Sequence, residues 1–349
     1  CDPGVTFTNA FFQFFTANVK FRMFGKPRIV NSSTGRVFNI NASGNDFYAD
    51  VDGITCAHEP LFVFAPTIDD NPTNAVLNCN RINGQIFTSS SCISARGNVN
   101  VTVNADYMEG NYVLIGTRYH KGTFNCNIKK MVLKNGGTIG NSSFWKAVVG
   151  LGDTIVNEES IVNITGDIYG QSDPYIGGQN SCIRDWGNGL GKCTVTYTGN
   201  MYGNEIPGLS ANNIGYNYTI NGNINSKIRN IYTGSDGTVK INNSLIEKTS
   251  GGSLITNEMI ALGGSSKLTM SNCNIKDSSG TSGEVIKVYS NACSLNLMNC
   301  LSRSNPALFI NFNTFTPSYV LRGCVADKPL DPLIIAQPFE FVENVLINI

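Results

Sequence analysis

The feature that most constrains this chain is one turn that recurs at irregular intervals, clearest between residues 220 and 325. A short apolar strand runs into an amide or glycine, then a small residue, then a second strand. Ile241-Asn242-Asn243-Ser244-Leu245-Ile246 is one copy, and Met270-Ser271-Asn272-Cys273-Asn274-Ile275 is the next. Leu297-Met298-Asn299-Cys300-Leu301 and Leu321-Arg322-Gly323-Cys324-Val325 follow, and Thr219-Ile220-Asn221-Gly222-Asn223-Ile224 precedes them. The turn positions 222, 243, 272, 299 and 323 are separated by 21, 29, 27 and 24 residues. An irregular period of this size marks a solenoid, in which each repeat is one supersecondary unit. β-Branched or aromatic residues on alternate positions make the flanking segments strands, and no segment sustains an apolar stripe at helical spacing. Asn or Gly at the bend tolerates a left-handed backbone that a β-branched residue does not. Asn side chains stacked one coil apart can also hydrogen-bond along the axis as a ladder.

The residue after the bend is small (Cys79, Cys126, Cys273, Cys300, Cys324, with Ser244 as a variant) and is expected to point inward. Disulfide frameworks belong mainly to short secreted chains that lack a core. This chain has 349 residues and 11 cysteines, and thiols stacked on neighbouring coils act as small core hydrophobes. Lys+Arg and Asp+Glu number 25 each, which argues against a nucleic-acid partner, since that needs a clustered basic surface. No apolar run reaches about 18 residues, so no membrane-inserting helix is expected.

Residues 1–26 are crowded with phenylalanine and form an N-terminal cap. Phe7, Phe11, Phe14 and Phe15 lie at helical spacing, and alternation in strands fits them equally. From residue 27 to 325 the turn can be threaded through Asn31, Gly53, Asn78, Asn104 and Asn125, then through Gly166 and Gly199. The last two steps, of 41 and 33 residues, exceed one coil, so residues leave the wall near 129–162 and near 169–194. Residues 326–349 read as an extended apolar segment, punctuated by Pro329 and Pro332.

These repeats resemble a right-handed parallel β-helix of the pectin-lyase-like superfamily, a fold shared by phage tailspikes, polysaccharide lyases and surface adhesins. The resemblance implies an all-β solenoid of roughly twelve coils. It rests on the repeat and not on a catalytic signature, so it implies fold more than activity. The function it implies is that of a phage tailspike or tail fibre, a virion structural protein that recognises host-surface glycan. Such proteins assemble in the host cytoplasm, where a reduced core is stable. A parallel homotrimer, other virion tail proteins and a host polysaccharide are the expected partners. Two alternatives stand beside it. One is a bacterial cell-surface adhesin or lipoprotein, because Cys1-Asp2 matches the start of a processed lipoprotein. The other is a polysaccharide depolymerase, either hydrolase or lyase.

The chemistry-bearing residues favour binding over catalysis. The chain has two histidines, His58 and His120, both placed by their neighbours in exposed turns, and no Cys-x-x-Cys, so neither a metal nor another cofactor is expected. Gly187-Asn188-Gly189-Leu190-Gly191-Lys192 lacks the first Gly, the final Ser/Thr and the βα unit of a phosphate loop. Glycoside hydrolysis wants two carboxyls about 5–9.5 Å apart. Asp69/Asp70 and Glu158/Glu159 are adjacent and would point to opposite faces of a strand, whereas Asp50 and Asp52 share one. Asp173 with Asp185 is the catalytic candidate inside an excursion. Tyr175, Arg184, Trp186, Tyr202 and Glu205 are the candidate glycan contacts, because aromatic faces stack on sugar rings while charged groups bond hydroxyls.

Overall fold

The fold was obtained as a computed structural model. The structure describes residues 4–32, 35–66, 71–84, 91–111, 113–134, 147–155, 157–170, 181–185, 191–203, 209–211, 215–227, 229–234, 236–249, 258–280, 283–304, 308–326, 342–343 and 346–347. The chain is an all-β parallel solenoid of about ten turns, with no helix among the described residues. It divides into two compact units. One comprises Cys1–Gln171 with Trp186–Val195, and the other Ser172–Asp185 with Thr196–Ile349.

In the first unit the phenylalanine-rich opening forms strands. Thr6–Thr8, Phe12–Phe14 and Lys20–Met23 each pair in parallel with the turn that follows. Aromatic rings stack from turn to turn, Phe12 on Phe38 and Phe21 on Phe47, each with centroids 5.3 Å apart. Phe11, Phe15 and Phe24 stay exposed. The next turns use long strands, Asp46–Cys56, Thr73–Gly84, Ile93–Gly110 and Ile115–Leu133. Along Thr73–Gly84 the residues Thr73, Ala75, Leu77 and Cys79 face the core. Alternation breaks where Asn80 and Arg81 both face outward, and Ile82 resumes it. Two successive outward residues bend a strand without ending it. The same break falls at Lys129 and Lys130 in Ile115–Leu133.

This corrects the threading of the first unit. Asn78, Asn104 and Asn127 share one column, but Asn31 pairs with Cys56 and Gly53 with Arg81, so the positions 31, 53, 78, 104 and 125 are not equivalent. A bend made by two outward residues in extended conformation needs no left-handed residue, so the amide and glycine cue is lost there. At Gly166 the cue returns. Its φ is +121°, and a Cβ there would lie 1.7 Å from the Ile128 carbonyl oxygen, so only glycine fits.

The second unit matches the repeat as read. Thr238, Lys267, Ser294 and Ser318 align on successive turns. The bends are left-handed at Asn243, Asn272 and Asn299, with φ of 51°, 55° and 52°, and at Gly323 with 58°. The amides form the expected ladder. Asn272 Nδ2 donates to Asn243 Oδ1 at 3.1 Å, and Asn299 Nδ2 donates to Asn272 Oδ1 at 3.2 Å. Cys273, Cys300 and Cys324 point inward and are buried. All the described cysteines are buried free thiols. Burial pushes Cys56 and Cys79 up to about 12, which leaves them protonated and inert.

Asn272→Ala is expected to lower stability by about 1–2 kcal/mol, through lost ladder bonds and an alanine forced into the left-handed region. Asn272→Gly keeps the backbone and loses only the ladder, so it should cost less than half as much. Paired urea titrations of the two variants separate the contributions, and equal costs would mean that the backbone term is absent.

Candidate functional site

The groove of the first unit is built from the outward faces of the long strands. Its volume is about 600 Å³, and it is lined on successive turns by Lys26, Asp50, Asn78 with Asn80, Asn104 with Asp106, Asn127 with Lys129, and Thr165 with Asp167. Five intervals between neighbouring parallel strands give it a length on the order of 24 Å. Register explains the composition of its floor. Asp50 pairs with Asn78, Asn78 with Asn104, Asn104 with Asn127, and Asn127 with Thr165. The amides are joined head to tail, Asn127 Nδ2 donating to Asn104 Oδ1 at 2.9 Å and Asn104 Nδ2 to Asn78 Oδ1 at 2.8 Å. Asn78 Nδ2 in turn donates to the Tyr48 hydroxyl at 3.0 Å. Each amide keeps one N–H and at least one lone pair for a ligand.

A second line of groups follows the bend. Arg28 pairs with Asp52 at 3.3 Å, Asn80 Nδ2 donates to Asp52 Oδ1 at 2.9 Å, and Lys129 Nζ reaches Asp106 Oδ1 at 2.6 Å. Charges of both signs therefore alternate along the rim and largely cancel. Asp50 and Asp52 share the outward face of Asp46–Cys56, as alternation requires. Asp52 is occupied by Arg28 and Asn80, whereas among the described residues Asp50 has no ion-pair partner and faces the groove. Such a surface can hold a hydroxyl-rich polymer whose groups recur at a spacing of about one or two strands. Among the described residues, no three His, Cys, Asp or Glu side chains are grouped so as to hold a metal ion.

The chain matches no protein-family model, no curated protein and no solved structure at a significant level. What the groove does therefore rests on its own chemistry.

Of the other candidate site residues singled out from the sequence, the described ones do not line the groove. Arg184 and Asp185 end the strand Ser181–Asp185, 4% and 0% exposed, so they belong to the wall and not to an excursion. Asp185 Oδ2 accepts from the Tyr218 hydroxyl at 2.7 Å, and burial lowers the Arg184 guanidinium to about 10. Tyr202 is half-buried in Met201–Gly203, in register with Asn225. Asp173, Tyr175, Trp186 and Glu205 lie outside the described residues, as do Asp69 and Asp70. Glu158 pairs with Lys121 at 3.1 Å, and Glu159 accepts from Thr194 at 3.4 Å.

His120 corrects the expectation of an exposed turn. The register between Ile93–Gly110 and Ile115–Leu133 slips between Arg118 and His120, which expels Tyr119 and turns His120 inward. The imidazole is fully buried with Nδ1 against the Ser160 hydroxyl. A histidine and a serine in contact suggest nucleophile chemistry, but neither side chain reaches solvent.

Proposed function

We propose that this chain is a tailspike-like or tail-fibre-like protein of the pectin-lyase-like kind, which attaches a virion to its host by binding polysaccharide along the groove of its first unit. The observation that carries this reading is the run of in-register amides, Asn78, Asn104 and Asn127, bordered by charges of both signs. A solenoid repeats its outer groups at strand spacing, and a polysaccharide repeats its hydroxyls, so one periodic surface can take several sugars at once. A parallel homotrimer on a virion tail completes the proposal. Exposed Phe11, Phe15 and Phe24 support a subunit contact, since three large apolar rings are left in water near the start of the chain.

Binding of host capsule and lipopolysaccharide oligosaccharides, measured by calorimetry, tests the groove. Asn104→Ala with Asp106→Ala is expected to weaken binding about ten- to a hundredfold while leaving the melting temperature within a few degrees. Unchanged affinity in that variant would remove the groove from the proposal. Scattering mass tests the assembly, and a stable monomer at micromolar concentration would count against a trimer. Asp50 supports a second reading, a depolymerase, because it is a groove carboxylate with no ion pair among the described residues. Reducing-end release that vanishes in Asp50→Asn would establish that reading, and intact polysaccharide after prolonged incubation would exclude it.

A further inference from the structure

Nearer the start of two of the long strands that build the groove, two arginines stand side by side. Arg96 and Arg118 are register partners on Ile93–Gly110 and Ile115–Leu133, so their side chains leave the wall about 4.8 Å apart. Like charges directly opposite each other destabilise a sheet unless something compensates them. Among the described residues, neither arginine has an ion-pair partner. The carboxylate closest in influence, Glu59, is fully buried and already engaged, pairing with Arg36 and accepting from Ser94 Oγ at 3.1 Å. Burial holds the Arg96 guanidinium below its usual range against the pull of Glu59, with smaller contributions from repulsion by Arg118 and Arg36.

The bulge next to this pair adds a second element. Tyr119 is the extra residue, with φ of +48°, a conformation that an aromatic residue rarely adopts. Bulges re-aim side chains, and this one sets the Tyr119 ring outward at 49% exposure, with the Arg118 guanidinium 5.3 Å from its centroid. On the following turn Gly152 donates its N–H to the Thr117 carbonyl at 2.8 Å. The position beside Arg118 therefore carries no side chain, which leaves room over the pair.

We infer that Arg96, Arg118 and Tyr119 form a second binding site, for an acidic saccharide. The two guanidiniums take a carboxylate or sulfate through charge-assisted hydrogen bonds, and the Tyr119 face packs against the sugar ring. A saccharide is favoured over nucleic acid because two neighbouring cations on a chain with 25 basic and 25 acidic residues do not make the stripe that a phosphate backbone requires. The choice of a sugar rests on the glycan-binding reading above. The site itself rests on the arginine pair and the bulge.

The test uses the intact chain, with oligogalacturonate and sulfated galactose oligomers as acidic probes and a neutral galactose oligomer as control. Arg118→Gln is expected to weaken the acidic probes roughly tenfold and to leave the neutral one unchanged. Tyr119→Gly should weaken the acidic probes as well while raising the melting temperature, because it relieves the left-handed strain. A merely structural role would move the melting temperature alone. Acidic probes that bind Arg118→Gln and wild type equally would overturn the site, and they would do so even if the Asn104 and Asp106 variant still loses binding of host glycan. Loss in the Arg118 variant with no loss in the groove variant would support this site and remove the groove. A single-stranded oligonucleotide or a phosphatidylserine vesicle that binds more tightly than every acidic oligomer would overturn the saccharide assignment.

Discussion

Asp277→Ala is expected to cost about 2–3 kcal/mol of folding free energy, through the lost attraction on a buried lysine and the release of a turn. Lys248 is 1% exposed and ends the strand Leu245–Lys248, where its register partner on the next turn is Asp277, 4% exposed. Burial lowers the Lys248 pKa, and Asp277 is the main group opposing that shift, ahead of Glu258. Removing the carboxylate takes away the main charge that offsets burial of the Lys248 ammonium, and an incompletely compensated buried charge is expensive. Glu258 cannot take over, because Arg229 is paired with it. The substitution also releases the turn that follows, where Asp277 Oδ1 accepts from the Ser279 amide at 2.8 Å and the Gly280 amide at 3.2 Å. The paired variant Lys248→Met with Asp277→Ala should recover most of the loss, since it removes both charges. Urea midpoints at constant m give the numbers. A loss below about 1 kcal/mol for Asp277→Ala would mean that the Lys248 ammonium reaches water and that the pair behaves as a surface one.

The same register that joins Lys248 to Asp277 decides what could be read in the sequence. In the second unit one bend residue sets the backbone, makes the ladder and precedes an inward thiol, so Asn243, Asn272, Asn299 and Gly323 stand out as a repeat. Those three demands act on one short stretch, and local chemistry reports them. In the first unit the bend is two outward residues, such as Asn80 and Arg81, and a polar pair in a polar face carries no special conformation. The asparagines there were legible, but as turn residues. That Asn78, Asn104 and Asn127 form the floor of a groove follows only from their pairing across turns. Thr165 joins that floor 38 positions after Asn127, beyond the reach of any short period. Arg184 and Asp185 misled for the converse reason, since a charged pair next to a tryptophan reads as an exposed loop unless its strand is known to lie in the wall. Asp50 and Asp52 share a face by simple alternation, and that inference held because it needs nothing beyond one strand.

His120 gives the second large effect, and its direction follows from burial. The imidazole has a pKa lowered from 6.5 to about 4, chiefly by desolvation, with a backbone hydrogen bond at Val99 opposing. The folded state therefore keeps His120 neutral at pH values where the unfolded chain is protonated. A group with a depressed folded pKa of this kind contributes fully above pH 6.5, and its contribution is lost as the pH falls from 6.5 towards 4. That interval corresponds to about 3 kcal/mol. Carboxylates also titrate below pH 5, so the informative quantity is the difference between wild type and His120→Gln, from which common groups cancel. Glutamine keeps a polar group for Ser160 and cannot titrate. The wild type should lose about 3 kcal/mol more than the variant between pH 7 and pH 4, and its own imidazole resonances should not move above pH 5. The chain has only one other histidine, His58, so the two signals can be assigned by mutation. Equal pH dependence in both proteins, or a His120 resonance that titrates near pH 6.5, would show that the bulge at Tyr119 leaves the imidazole open to water. It would also release Tyr119 from the geometry on which the arginine site depends, so this titration tests the packing beneath that site as well as the histidine itself.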